Sequence, residues 1–464
     1  MYRLLTILVI VVAVLLRVLL CWENPPSNAF DNHYEPIALI LQTGQIPDKN
    51  ACFQCYNPPV FYYLSALFAK AVVTMGVKPD ALQKALQLLN CVYGILTLLV
   101  LYAILVKLKF TGTSRLTAFS MICFLPRDIF MSAIHSNDSL TYLAISLCAY
   151  LLLVAIDREL SLPVVGLLGI AVTATIFVKY TAYLVLPMVA VPLLTVIAGK
   201  PAIPRPRSVA ALVIVLIMPL VFLGSYFVGN FEEYGRILPW NDSMINTSQV
   251  HPRDPEGVSF TSFTPVQYIR EPIIMPGQVH SFWTLIYSGM WADTEPKFVF
   301  YTDGNDEWWR QFTSWENGSS GFPSAPIPIS RVTRLITSGL LVCGLIPLCL
   351  VITGGVRCLI AIMNDSKAGS NLESAKFQIF PLILLFNTFG IILLVLKAPV
   401  YSSMKASYFL NSLPAFIVFI ALGIQYIEKT PWMKTLVVST CCIIAALSSL
   451  YTVRIASALS LVQG

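Results

Sequence analysis

The sequence predicts an all-α polytopic membrane protein, with about eleven transmembrane helices and a small cap outside the membrane. Three observations lead there. Of the 464 residues, 56% are hydrophobic and only 12% charged, with a mean hydropathy of +0.74, whereas a soluble domain carries about 25% charged residues. Apolar runs of about 20 residues, the length that spans a hydrocarbon core, recur along most of the chain. The charge is also unevenly spread: twelve acids face five bases between Phe227 and Ser330, a net of −7 that leaves +13 for the remainder. Much of that excess lies in short loops between apolar runs, the pattern that marks cytoplasmic loops. Together these exclude a cytosolic enzyme, a secreted disulfide scaffold and a disordered chain, and the overall charge of +6 implies no nucleic-acid partner.

The first run, Leu4 to Leu20, follows Arg3. It is longer than the usual signal-peptide core of about 7–15 residues and has no small-x-small site after it, so an uncleaved anchor with a cytoplasmic N-terminus is expected. Lys84–Val106 descends to the basic turn of Lys107, Lys109 and Arg115. Leu116–Ala133 returns outward, and Leu140–Ile156 leads back to Asp157 and Arg158. Val164–Val178 and Tyr183–Ala198 form a short pair ending at Lys200, Arg205 and Arg207, and Val209–Val228 rises into the acidic segment. Val332–Ile352 leads to a loop expected to hold Arg357, Lys367 and Lys376; Ile379–Leu396, Tyr408–Tyr426 and Thr435–Ile455 complete the set. Val60–Val73 is short for a span and suits an interfacial or re-entrant helix. The expected organisation is an N-terminal membrane module (1–226) with an outer loop at 21–59, a cap at 227–330 and a C-terminal membrane module (331–464). The cap holds Trp240, Trp283, Trp291, Trp308, Trp309 and Trp315.

Two acidic turns are expected on the outer face. The first is Asp31, Asn32, His33, Tyr34 and Glu35. If helical, it places Asp31 and Glu35 on one face, where a carboxylate serves as general base or metal ligand; a solvated loop with Asp31 as helix cap is the plainer alternative. The second is His135, Ser136, Asn137 and Asp138, where Asp138 either caps the next helix or joins the first turn in cradling a divalent ion or dividing acid–base roles. Lys179 interrupts an apolar stretch. It either snorkels to the interface or meets a lipid phosphate as a point charge. Arg127 with Asp128, Lys397 and Lys405 sit at a similar inferred depth. Cys52 and Cys55 suit a local disulfide in an oxidising compartment, and Asn241, Asn246 and Asn317 head glycosylation sequons. No P-loop, nucleophile elbow, H-E-x-x-H or dinucleotide fingerprint is found, so an activated donor would have to arrive dissolved in the bilayer.

Taken in order, F-D-N-H-Y-E after the first span, Y-N-P-P-V-F-Y-Y at Tyr56–Tyr63, H-S-N-D-S, F-V-K-Y-T-A-Y-L-V-L-P at Phe177–Pro187 and K-A-S-Y-F-L-N-S-L-P at Lys405–Pro414 resemble the GT-C superfamily of membrane glycosyltransferases. The nearest branch in appearance holds protein O-mannosyltransferases and lipid A aminoarabinose transferases. The resemblance covers most of 1–187 plus the late motif. It implies inverting transfer from a polyprenyl-phosphate sugar on the extracytoplasmic membrane face, to a protein, lipid or glycan acceptor; a bacterial or archaeal plasma membrane is expected ahead of the ER. It further implies Asp31 as general base and Asp138 as the second acid, orienting substrate or binding Mg or Mn. Lys179 and Lys405 are implied at the lipid phosphate, Tyr408 as part of a Lys-Tyr pair, and Pro58 and Pro59 as a diproline shaping the first loop. Many relatives carry Asp-Glu where Asn32 follows Asp31 here, which leaves Glu35 or His33 for the second role, or no metal. A secondary transporter is the main alternative, and a polyprenyl-linked polymerase or ligase using His251, Arg253, Arg270 and His280 is another.

Overall fold

A computed structural model describes residues 1–26, 32–199, 203–239, 258–270, 281–292, 330–368, 372–397 and 403–463. Asp31, the three sequons, His251, Arg253, His280, Trp240, Trp308, Trp309 and Trp315 lie outside the described residues.

The all-α expectation holds: beyond one isolated bridge between Ser259 and Ser281, the described residues form helices and turns. A lipid interior offers backbone groups no water, and a helix satisfies them within its own segment. In chain order the helices are α1 (Tyr2–Glu23), α2 (Tyr34–Thr43), α3 (Val60–Thr74), α4 (Leu82–Lys107), α5 (Gly112–Cys123), α6 (Pro126–Ser132), α7 (Asn137–Asp157), α8 (Leu162–Val178), α9 (Val185–Ala198) and α10 (Arg205–Tyr234). The short α11 (Pro265–Arg270) and α12 (Phe282–Trp291) follow, then α13 (Arg331–Cys343), α14 (Leu345–Ala368), α15 (Leu372–Lys397), α16 (Leu413–Ile427) and α17 (Pro431–Gln463). Two 3-10 turns, Tyr180–Leu184 and Ala406–Ser412, lead into α9 and α16.

Among the described residues, nine helical stretches are long and apolar enough to cross a membrane, and the chain is an integral membrane protein. Of the eleven expected spans, the two not among these nine are α8, 17 residues long, and Leu116–Ala133, which is divided into α5 and α6. The division has a local cause. Pro126 cannot donate a backbone N–H, so the chain turns at Phe124–Leu125 and restarts with Pro126 in the first turn of α6, where no donor is needed. Arg17 fills the break. Its guanidinium donates to the Cys123 carbonyl at 3.0 Å and the Ala13 carbonyl at 3.1 Å, and pairs with the Asp128 carboxylate. The cation thus meets the C-terminal end of α5 and the anion the first turn of α6, each at the favourable pole of its helix.

The loop expected to carry Arg357, Lys367 and Lys376 is corrected: α14 continues to Ala368 and Lys376 lies on α15. Arg357 keeps its place on a helix because its guanidinium stacks 3.7 Å from the Tyr426 ring centroid. Residues 60–74 form a helix of 15 residues, short for a span as the sequence suggested, packed between α2 and α4.

The tightest pairing joins α14 to α16. A Cβ on Gly354 would fall 1.8 Å from the Phe419 carbonyl oxygen, and one on Gly423 2.6 Å from that of Leu350. Small residues let two backbones approach where hydrophobicity offers no preference between helix and lipid. Within residues 227–330, α12 is buried against α6 and the Ala406–Ser412 turn, and α11 packs on α13.

Candidate functional site

The site is built where several apolar helices begin or end. Ser136 caps α7, its hydroxyl accepting from the Asp138 N–H at 3.1 Å. That cap leaves the Asp138 carboxylate available, and Lys179, in the extended residue ending α8, meets it with 2.5 Å between Nζ and Oδ1. Both side chains are largely enclosed, at 14% and 8% exposure. The Lys179 ammonium also lies 5.2 Å from the centre of the Tyr408 ring. Tyr408 sits in the 3-10 turn that Lys405 precedes. That turn is held by Tyr142 Oη donating to the Ser407 carbonyl at 2.8 Å and by Asn387 Nδ2 donating to the Tyr408 carbonyl at 3.0 Å.

The first acidic turn reaches the same place through aromatic contacts. His33, buried at the start of α2, shares a 2.8 Å hydrogen bond between Nδ1 and Tyr62 Oη. Phe61 stands between His33 (ring centres 6.0 Å apart) and His135 (5.4 Å), joining the two turns. The helix α2 begins at Tyr34, and the helical spacing considered from Asp31 to Glu35 falls partly outside the described residues. Tyr34 and Glu35 are half-buried in the first turn of α2. Asn137, fully buried beside Asp138, has no hydrogen-bond partner for either side-chain polar atom among the described residues.

The loop from 48 to 59 closes over this region. Cys52 and Cys55 are joined by a disulfide with Cα atoms 5.1 Å apart. Pro58 and Pro59 are buried, with Pro59 starting α3, while Tyr56 is half-buried within electrostatic reach of Tyr180. Lys49, not singled out from the sequence, latches the loop: Nζ donates to Tyr226 Oη at 2.5 Å and Tyr180 Oη at 3.3 Å. Burial pulls the Lys49 amine down to about 8, against the attraction of Glu233 and Asp48. Asp48 is held below its ordinary value by the Asn50 N–H and the Tyr234 hydroxyl.

The structure therefore brings together His33, His135, Asp138, Lys179 and Tyr408. Arg127 is buried and donates from Nε to the Gly289 carbonyl of α12 at 2.8 Å. Among the described residues no three His, Cys, Asp or Glu gather as a metal site, and the Asp138 carboxylate faces an ammonium rather than further carboxylates. Lys49 escaped notice because Asp48-Lys49-Asn50 reads as a turn, and its tyrosine partners lie 131 and 177 residues away.

No protein-family model matches the sequence, and no curated protein sequence does. Solved structures do share the fold. The oligosaccharyltransferase of Archaeoglobus fulgidus in its apo form aligns with a TM-score of 0.53 at 11% identity, over 99% of this chain and 56% of that one. The archaeal oligosaccharyltransferase AglB from Archaeoglobus fulgidus, in complex with an inhibitory peptide and a dolichol-phosphate, aligns at 0.50 with 12% identity, over 99% and 56%. A looser likeness, at 0.39 and 12% identity over 91% and 77%, is to ArnT from Cupriavidus metallidurans bound to undecaprenyl phosphate. This chain thus shares the fold of the archaeal oligosaccharyltransferase, and it spans about half the length of that protein.

Proposed function

We propose that the chain is an inverting glycosyltransferase that moves a sugar from a polyprenyl-phosphate donor to an acceptor on the extracytoplasmic membrane face. The observation that carries the reading is the largely enclosed Lys179 on Asp138, beside Tyr408 and next to the His33–Phe61–His135 contact. Asp31, two residues before His33 in the sequence, takes the proton of the acceptor nucleophile. The acceptor atom bonds to sugar C1 as the C1–oxygen bond to phosphate breaks on the opposite side. The electron pair leaves with the polyprenyl phosphate. Lys179 keeps donors beyond the one given to Asp138 and neutralises charge growing on the leaving phosphate, with Lys405 as a second cation. Asp138 holds Lys179 in place; a bound Mg or Mn would need Asp31 and Asp138 together. The dolichol-phosphate in the archaeal relative supports a lipid-linked donor. The excess of Lys and Arg in the loops opposite supports a cytoplasmic N-terminus and an outer site.

The test uses purified chain with a panel of polyprenyl-phosphate sugars and acceptors, following polyprenyl phosphate by mass spectrometry. Asp31→Asn is expected to lower turnover by about 10²–10⁴-fold, and Lys179→Met to slow it through both turnover and donor KM. Release that survives in Asp31→Asn moves the base to Glu35 or Asp138. The broken α5–α6 helix with its buried ion pair favours a transporter. Absence of release from folded protein across the panel would select that reading.

A further inference from the structure

Lys84, Gln87 and Asn90 stand three residues apart on α4 and so share one face. Lys84 Nζ donates to the carbonyls of Cys21 (3.0 Å), Trp22 (3.0 Å) and Asn24 (2.6 Å), which end α1 with no intrahelical partner. Gln87 Nε2 donates to Asn24 O at 3.1 Å, Pro25 O at 3.3 Å and Ala133 O at 2.8 Å, and Asn24 Nδ2 reaches the same Ala133 carbonyl at 2.7 Å. Asn90 Nδ2 donates to Ile134 O at 3.2 Å and Ser136 O at 2.5 Å. One helix face thus grips the entry of the first loop and the turn running to Asp138.

Two features distinguish this from ordinary helix capping. Gln87 and Asn90 are fully buried, and each keeps its amide oxygen without a hydrogen-bond partner among the described residues. That cost would be absent with apolar side chains. The same face continues to Gly94, where an added Cβ would fall 2.2 Å from Ser132 Oγ, so α4 and α6 are pressed together directly beneath the turn.

We infer that the Lys84–Gln87–Asn90 face of α4 is a positioning frame for the transfer, setting the loop that carries the acceptor-activating acid against the Asp138–Lys179 pair. The inference rests on the glycosyl-transfer reading; these three residues act through the groups they hold and do not touch substrate. Misplacement of reacting groups by about 1 Å costs on the order of 10²-fold in rate. Gln87→Leu and Lys84→Met are therefore expected to lower kcat by about 10- to 100-fold. Donor KM should stay within about twofold, because Lys179 remains, and Lys84→Arg should recover most of the loss.

The experiment uses the full chain in lipid nanodiscs with undecaprenyl-phosphate-linked hexoses and aminopentoses, together with hydrogen exchange over residues 18–26 and over α7. The expected result is a fall in kcat alone, with faster exchange at 18–26, unchanged exchange in α7, and both effects reversed by Lys84→Arg. Unchanged kcat and exchange in Lys84→Met overturns the frame. So does a rise in KM accompanied by faster exchange throughout the chain, since that marks a general loss of folding. If the wild type turns over no donor, the glycosyl-transfer reading and the frame's role in it fail together. Faster exchange at 18–26 reversed by Lys84→Arg then keeps only the structural grip.

Discussion

Arg17 is enclosed within an apolar helix because three acceptors meet it: the Ala13 and Cys123 carbonyls and the Asp128 carboxylate. With side-chain exposures of 0% and 2%, the pair is stable as a unit and fragile when halved. Asp128→Leu is expected to cost about 3–5 kcal/mol by leaving a buried cation uncompensated, and Arg17→Leu/Asp128→Leu to recover most of it. Denaturation in mild detergent measures both; equal losses in the single and double variants would contradict this account. Lys49 gives the pH dependence. Its amine is held at about 8 in the folded loop against an ordinary value of 10.5. The released loop therefore binds the extra proton between about pH 8 and 10.5, and docking strengthens as pH rises through that window. Cleavage of the 48–57 loop by proteinase K should slow from pH 8 to pH 10 relative to Lys49→Met, whose ratio between the two pH values is the baseline. At this scale the sequence revealed Asp138 and Lys179 individually, each by breaking a local pattern. Their pairing across 41 residues depends on how α7 packs on α8, and no local signal encodes it.

Helix positions follow from apolar length alone, so the spans were readable from the sequence. Their interruptions were less so. Pro126 was present in the sequence, but a proline in a long apolar run is compatible with a kink as well as a break. What decides for a break is Arg17, more than a hundred residues away and able to satisfy the exposed carbonyl. Glycines in apolar runs are similarly mute: Gly354 and Gly224 both lie within helices, yet only the first faces another backbone. Gly354→Ala is expected to destabilise by about 1–3 kcal/mol as α14 and α16 are forced apart. Gly224→Ala, with nothing within 4 Å of its new methyl, should be neutral or mildly stabilising through helix propensity. Thermal unfolding of the two variants beside the wild type checks the contrast. Equal midpoints would mean that the α14–α16 approach contributes little.

Among the described residues, buried polar contacts gather where α1, α4, α6, α7, α8 and the Ala406–Ser412 turn meet, while α10 and much of α1 present apolar side chains outward. That division fits the proposed reaction, in which the donor's tail would stay in the bilayer while its phosphate and sugar meet Lys179, Asp138 and Tyr408. The overall architecture was legible because membrane constraints act on every residue of a span. The site was legible only as separate turns, because assembling them requires contacts such as Phe61 between His33 and His135. The central claim is a chemical exchange, and its most direct test is a mass balance in nanodiscs loaded with a single polyprenyl-phosphate sugar and acceptor. The account predicts loss of the lipid-linked sugar, matched one for one by polyprenyl phosphate and glycosylated acceptor, and suppressed in Asp31→Asn. A donor that survives intact with every acceptor would contradict it, whereas equal consumption by wild type and Asp31→Asn would keep the exchange and move the base away from Asp31.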